Sequence, residues 1–140
     1  MRGACTVYMS NDSYVERENT LVRKNNENLY DQIKLCIIAD YFPRTLSKLP
    51  SGTMEFFVRD GELAINYHTT KFGLRGPKQG LVAEGMNRSK LLTLLLLLED
   101  QITGHPAMDY GSITITYELL ENGEVDGEIE FKTQVNHRRR

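Results

Sequence analysis

The sequence has no tryptophan, only two cysteines and no apolar run longer than the five leucines of Leu94–Leu98. Because two cysteines, Cys5 and Cys36, are too few for a disulfide framework, we expect a reducing, cytoplasmic setting. A helix that spans a bilayer needs about 18 consecutive apolar residues, so no membrane segment is expected. Residues 1–14 also lack the apolar core that is typical of a signal peptide, which indicates that the chain is not exported.

Basic residues are absent from one long stretch, although the formal net charge of the whole chain is only −2. Residues 91–131 carry nine acidic and no basic side chains, whereas residues 71–90 carry five basic and one acidic. Residues 132–140 are basic again, through Lys132 and three terminal arginines. The near-neutral total excludes a uniformly basic nucleic-acid-binding protein, and it conceals separate acidic and basic segments.

Length and composition predict one domain with polar ends. A chain of 140 residues with 40% hydrophobic and 26% charged residues is typical of a single globular domain. We expect a flexible N-terminal segment over 1–26, an α+β domain over 27–134 and a basic C-terminal tail over 135–140. The domain follows the order helix, hairpin, long loop, helix, hairpin. The simplest arrangement is a two-layer sandwich, in which a mainly antiparallel four-stranded sheet carries both helices on one face.

The first helix is predicted from its cap and its periodicity. Asn26 or Asn28 is the capping residue, and apolar side chains recur every four residues at Leu29, Ile33, Ile37 and Tyr41. Pro43 has no backbone N–H and disfavours helix geometry in the preceding residue, so the helix should end near residue 41. Cys36 lies within the apolar surface, and we expect a buried, inert thiol.

The second helix should run from a cap at Asn87 to about Thr103, before Gly104 and Pro106. Its central segment, Leu91–Leu98, is apolar around nearly the whole circumference, so more than one side must be covered. Either this helix lies between the sheet and the first helix, or one side contacts another chain. The second arrangement would describe a homodimer or a self-assembling structural protein.

The first hairpin is predicted from the dipeptide Asp60-Gly61, which is typical of two-residue loops. With strands at Thr53–Arg59 and Glu62–His68, one face collects the apolar residues Met54, Phe56, Val58, Leu63, Ile65 and Tyr67. The opposite face would carry polar side chains and one aromatic ring, among them Asn66, His68 and Phe57.

The second hairpin has two possible registers, and its acidic residues decide between them. A two-residue loop at Asn122 and Gly123 would turn every acid of the last strand into the core, at a cost of several kcal/mol each. A three-residue loop that begins at Glu121 shifts the pairing by one residue, with Gly123 as the left-handed bulge residue. We therefore predict that residue 119 pairs with 125, 117 with 127, 115 with 129 and 113 with 131.

This register collects four acids on the outward face of one hairpin: Glu118, Asp126, Glu128 and Glu130. They form either a solvated face that discourages edge aggregation or a docking surface for a basic protein. A calcium site is less favoured, since the acids alternate along strands instead of following a wrapped loop. Phe57, the exposed aromatic of the same sheet face, is the candidate anchor of the docking surface.

The basic segment supports an alternative function, in which the chain is a nucleic-acid-associated protein of the kind that viruses encode. Its candidate residues for binding an anion or nucleic acid are Lys71, Arg75, Lys78, Arg88 and Lys90, with the tail Arg138–Arg140. The Gly-Lys-Ser/Thr ending of phosphate-binding loops is absent from the sequence, and so is the glycine-rich fingerprint of dinucleotide-binding sites. A loop with scattered basic residues is the simpler interpretation.

Enzyme signatures are few in this sequence. His68 and His105 have no metal-ligand spacing, and the nucleophile and zinc motifs of common hydrolases are absent. An acid–base pair of His105 and Asp109 is conceivable, but no nucleophile lies nearby in sequence. We expect a protein that is not an enzyme and that holds no cofactor or metal.

In predicted architecture, the chain resembles small bacterial immunity proteins and phage-encoded inhibitors of host defence. These are acidic, compact, non-catalytic α+β domains. The resemblance implies an inhibitor whose partner is a basic toxin, nuclease or defence complex. Because a fold does not determine a function, the argument depends on the charge distribution.

Overall fold

The computed structural model describes residues 25–75 and 84–135. Its elements are α1 (Glu27–Cys36), a π-helix (Ile37–Leu46), β1 (Ser51–Arg59), β2 (Glu62–Thr69), α2 (Arg88–Gly104), β3 (Tyr110–Leu119) and β4 (Val125–Thr133). The predicted α+β class is confirmed. The expected flexible segment up to residue 24, including Cys5, and the basic tail from residue 136 lie outside the described residues.

The four strands form one antiparallel sheet in the order β2–β1–β3–β4, so the two hairpins meet through β1 and β3. One sheet face carries fully buried side chains such as Phe56, Ile113 and Tyr117. The buried sides of both helices complete the same core, with Ile33 and Ile102 at its centre. Burial of this apolar surface, at about 25 cal/mol per Å², holds the helix layer on the sheet. We call the opposite side of the sheet the outer face.

The first helix continues past Pro43, so the prediction that it ends near residue 41 is wrong. After Cys36 the backbone widens into a π-helix, the type of helix in which N–H groups donate to carbonyls five residues earlier. At the end of this segment, the Ser47 N–H donates to the Phe42 carbonyl at 3.0 Å. The wider turn accommodates a residue that lacks an N–H, and it carries Leu46 into the core, where it is fully buried.

Asn26 precedes α1, and the sequence predicted that its side chain would cap the helix. Its side chain makes no capping hydrogen bond to α1. Its backbone is left-handed, with φ at 59°. The amide nitrogen lies 3.0–3.1 Å from the carbonyl oxygens of Ile102, His105 and Pro106. The amide oxygen accepts the Met108 N–H at 2.9 Å. One side chain thereby joins the start of α1 to the end of α2 and the loop that follows it.

Helix α2 begins and ends close to the predicted positions. Asn87 caps it by accepting the Lys90 N–H at 2.9 Å, and Gly104 is its last residue. Its leucines divide into a buried set, Leu91, Leu94, Leu95 and Leu98, and an exposed set, Leu92, Leu96 and Leu97. Within the described ranges, no helix is long and apolar enough to cross a membrane.

The first hairpin turns where it was predicted, and Val58 pairs with Leu63. Beyond this pair the predicted register is wrong, because the ladder shifts between Phe56 and Val58. There β2 contains a bulge, in which Ala64 and Ile65 together face Phe57.

The bulge reverses which residues of β2 point toward the core. Ile65 and Tyr67, expected to be buried, are 60% and 55% exposed. Asn66 and His68, expected on the outer face, are half-buried and point inward. Their partners on β1 are core residues, Phe56 and Met54.

The second hairpin has the register that its acidic residues predicted. Leu119 pairs with Val125, and the remaining pairs follow down to Ile113 with Phe131. Gly123 has φ at 87°, the left-handed conformation that the three-residue loop requires. The acids of β4 therefore point away from the core.

Candidate functional site

The outer face brings together the acidic residues that the sequence singled out. Across β3 and β4, Glu118 pairs with Asp126, Thr116 with Glu128 and Thr114 with Glu130. Side chains two positions apart on a strand share a face and lie about 6.8 Å apart. Asp126, Glu128 and Glu130 therefore form a line along the sheet edge, which we call the acidic row. All three are exposed, whereas Glu118 is half-buried.

At the opposite corner of this face, the bulge gathers apolar side chains. We call this group, Phe57, Ile65 and Tyr67, the apolar corner. The Phe57 and Tyr67 rings meet edge to face, with centroids 5.9 Å apart. The group lines an open groove of about 490 Å³ that also contacts Arg59 and Tyr110. Phe57 lies where the sequence placed it, but Ile65 and Tyr67 were missed, because the alternation of β2 fits an unbulged strand equally well.

The acidic row and the apolar corner share one surface. The register aligns Tyr67, Glu55, Thr114 and Glu130 across all four strands. At about 4.8 Å between neighbouring strands, Tyr67 and Glu130 are about 14 Å apart. On β3, which lies between β1 and β4, the outer-face residues at and next to this level have short hydroxyl side chains: Thr114 and Thr116, together with Ser112, which is buried. A partner surface of ordinary size would be large enough to cover both groups.

Among the described residues, the cations on the outer face lie at the end nearest the apolar corner. Arg59 pairs with Glu62, and Lys132 lies opposite Ser112. Along the acidic row itself, from residue 117 to residue 131, the sequence contains no lysine or arginine. The carboxylates of the row therefore repel one another, and a cationic partner would relieve that repulsion.

A second polar cluster lies between β2 and the helix layer. The Tyr41 hydroxyl donates to Oδ1 of Asn66, which is also 3.6 Å from Sγ of Cys36. Nε2 of His68 and the Tyr117 hydroxyl are 2.8 Å apart. Burial raises the pKa of Tyr41 to about 12, raises the pKa values of Cys36 and Tyr117, and lowers the pKa of His68. These shifts keep the cluster uncharged at neutral pH, and its hydrogen bonds join the π-helix to the sheet.

The basic residues of the nucleic-acid alternative lie in separate parts of the chain. Lys71 and Arg75 are exposed in the segment that follows β2. The guanidinium carbon of Arg88 lies 5.9 Å from the centre of the Phe42 ring, and the Lys90 ammonium lies beside the turn of the second hairpin. Lys78 and Arg138–Arg140 lie outside the described residues. Nucleic-acid binding therefore stays a prediction.

His105 and Asp109, the conceivable acid–base pair, each contact other residues. The His105 ring stacks on Phe131, with centroids 4.0 Å apart, and its Nδ1 lies 2.8 Å from the Pro106 carbonyl. The Asp109 carbonyl accepts the Gly61 N–H at 3.0 Å. Over residues 25–75 and 84–135, no group of three His, Cys, Asp or Glu side chains is arranged to hold a metal ion.

Comparison of the chain with protein-family models, with curated proteins and with solved structures finds no match. The candidate site is therefore defined by its own chemistry. An exposed aromatic pair and a row of carboxylates lie on one face of the sheet, on the side opposite the helices.

Proposed function

We propose that this protein is a non-enzymatic binding module, which attaches to a basic protein through the outer face and blocks it. The observation that carries the proposal is the combination of the apolar corner with the acidic row on a single surface. Surfaces of this composition are typical of protein interfaces, in which a few aromatic anchors contribute most of the binding energy and polar residues surround them.

The apolar corner would supply most of the binding energy. Ile65 and Tyr67 are more than half exposed, so their apolar surface gains burial only when a partner covers it. The Phe57 and Tyr67 rings already contact each other, which limits the conformational freedom that they lose on binding. Truncation of such an aromatic anchor commonly costs about 2 kcal/mol or more, which is a factor of about 30 in affinity.

The acidic row would select the partner. Its carboxylates raise the association rate of a basic surface and repel acidic competitors. Their spacing of about 6.8 Å matches lysine or arginine side chains at alternate positions of an extended strand. Blocking a basic toxin, nuclease or defence complex is the function that the immunity-protein resemblance implies, and the outer face is suited to it.

The test is affinity capture of the tagged protein from its native cells, after nuclease treatment, followed by titration of the purified partner. We expect a protein with a basic surface. Glu128→Lys with Glu130→Lys should weaken its binding at least tenfold, and Tyr67→Ala should weaken it about 30-fold. Both changes should leave the thermal midpoint nearly unchanged, because these side chains are exposed.

The matched control is Glu121→Lys with Glu124→Lys, which alters the net charge equally on the same hairpin but at its tip. We expect this control to weaken binding much less than the reversal in the acidic row. Equal effects of the two reversals would show that net charge, and not the outer face, governs binding, and the proposal would fail. Capture that is lost on nuclease treatment would favour the nucleic-acid alternative instead.

A further inference from the structure

Helix α2 exposes large apolar side chains on the side that faces away from the sheet. Leu92 and Leu96 are 61% and 67% exposed. On the neighbouring helix segments, Leu35 and Ile38 are exposed as well. These helices lie side by side, since the Tyr30 hydroxyl donates to the Leu95 carbonyl at 2.9 Å. The helix layer thus has an apolar surface that no described residue covers.

Along α2, a charged residue lies one turn before the exposed leucines and another lies one turn after them. Arg88, Leu92, Leu96 and Asp100 follow one another at intervals of four residues, and all four are exposed. Residues at this interval lie on one side of a helix, one turn apart. The resulting line, which we call the α2 ridge, runs from a cation through two leucines to an anion.

These charges oppose the preferences of an isolated helix. Cations are favoured near the C-terminus of a helix and anions near its N-terminus. In α2, Arg88 and Lys90 lie in the first turn, which contains no acid. Glu99 and Asp100 lie near the other end, and the last turn contains no basic residue. The charge pattern therefore does not stabilise α2 by itself, whereas an antiparallel neighbour would be attracted to it at both ends.

We propose that the α2 ridge is the contact surface of a symmetric dimer, in which α2 packs antiparallel to α2 of a second copy of this chain. A twofold axis near residue 94 places Leu92 against Leu96 of the second copy. The same axis places Arg88 against Asp100 of the second copy. Each contact occurs twice, as the isologous interface of a twofold dimer requires.

The chemistry of the ridge favours this occupant because the ridge is complementary to itself. Reversal of its direction exchanges the cation for the anion and leaves the leucines opposite leucines. A second copy therefore buries apolar surface in the middle and pairs both charges at the ends, without leaving a charge unmatched. The outer face is not involved, so this proposal is independent of the proposed function.

Sedimentation velocity from about 1 µM to about 1 mM tests the dimer, because weak and moderate affinities fall in this range. The expected mass rises from 16.1 kDa toward twice that value with concentration. Leu96→Lys should leave a monomer throughout the range. Ile65→Lys is the matched control, an exposed aliphatic residue on the outer face, and should dimerise as the unchanged protein does.

Charge exchange tests the antiparallel orientation. Arg88→Asp or Asp100→Arg alone turns two attractive pairs into two repulsive ones, so each should weaken dimerisation about tenfold. The double variant restores both pairs and should recover most of the affinity. A monomer at every concentration, a dimer that survives Leu96→Lys, or a double variant weaker than either single variant would each overturn the proposal.

Discussion

The Asn26 side chain offers the sharpest test of how the helix layer is closed. Its amide group contacts four backbone groups in and after α2, at 2.9–3.1 Å. Asn26→Ala removes these contacts, and it also forces alanine into a left-handed backbone with φ at 59°. Neither loss is repaired locally, because the Met108 N–H and the Ile102 and His105 carbonyls are partly buried.

The expected loss of stability follows from counting bonds. An amide nitrogen has two hydrogens, so Asn26 donates at most two full hydrogen bonds and accepts one from Met108. At about 1 kcal/mol each, these contribute about 3 kcal/mol. Alanine in the left-handed region adds about 1 kcal/mol, which gives about 4 kcal/mol for Asn26→Ala. Asn26→Gly avoids the strain and should cost about 3 kcal/mol.

Urea denaturation measures both variants, since a change in midpoint at constant slope reports a change in the free energy of unfolding. Asn25→Ala, at the exposed neighbouring position, is the control and should change that free energy by less than about 0.5 kcal/mol. If Asn26→Ala is as stable as this control, the side chain does not hold the two helices together. If Asn26→Gly is less stable than Asn26→Ala, the left-handed strain was assigned wrongly.

Three further predictions concern titrating groups and close backbone contacts. Burial lowers the pKa of His68 on folding, so the unfolded chain binds a proton at a higher pH than the folded chain does. Stability should therefore fall as the pH drops from about 7 to about 5. In thermal unfolding, His68→Gln should make the melting temperature depend less on pH over this range. Burial raises the pKa values of Tyr30 and Tyr41 to about 12, so the stability that they contribute is fully present below about pH 10 and is lost as the pH rises through 12. The absorbance of tyrosinate from these two residues should then rise together with unfolding. Ionisation of Tyr30 and Tyr41 while the chain is still folded would contradict this prediction. Gly111→Ala should prevent folding, since its Cβ would lie 1.9 Å from the Lys132 carbonyl oxygen at a φ of 149°. At Gly104 an added Cβ has no atom within 4 Å apart from its chain neighbours and the backbone of its own helix, so Gly104→Ala should give the circular dichroism spectrum of the folded protein.

The two hairpins show what the sequence could and could not predict. In the second hairpin a shift of one residue would bury several carboxylates, so the energetic penalty selects one register. In the first hairpin, Ile65 with Tyr67 and Asn66 with His68 alternate, and an unbulged strand looks acceptable. The bulge is favoured by contacts distant in sequence, because Tyr41 and Tyr117 provide hydrogen-bond partners for Asn66 and His68.

The first helix shows the same limit of local reasoning. Pro43 disfavours an α-helix, and that rule correctly marks the place where the backbone is not α-helical. It does not predict a π-helix, because the gain comes from burying Leu46 against the remainder of the core. Only one part of the candidate site could likewise be predicted. The alternation of acidic and apolar residues in β4 indicated the acidic row, whereas the apolar corner depends on the bulge in β2.

The two proposed surfaces lie on opposite sides of a two-layer sandwich, and this placement has a consequence for binding. A dimer through the α2 ridge buries the helix layer and leaves both outer faces directed away from the twofold axis. Two partner molecules can then bind one dimer without competing, and each single contact keeps its own affinity. Avidity arises only for a partner that is itself multivalent and whose basic surfaces can reach both faces at once. A monomeric basic partner should therefore bind the Leu96→Lys variant as tightly as it binds the dimer, whereas a multivalent partner should lose affinity when the dimer is broken.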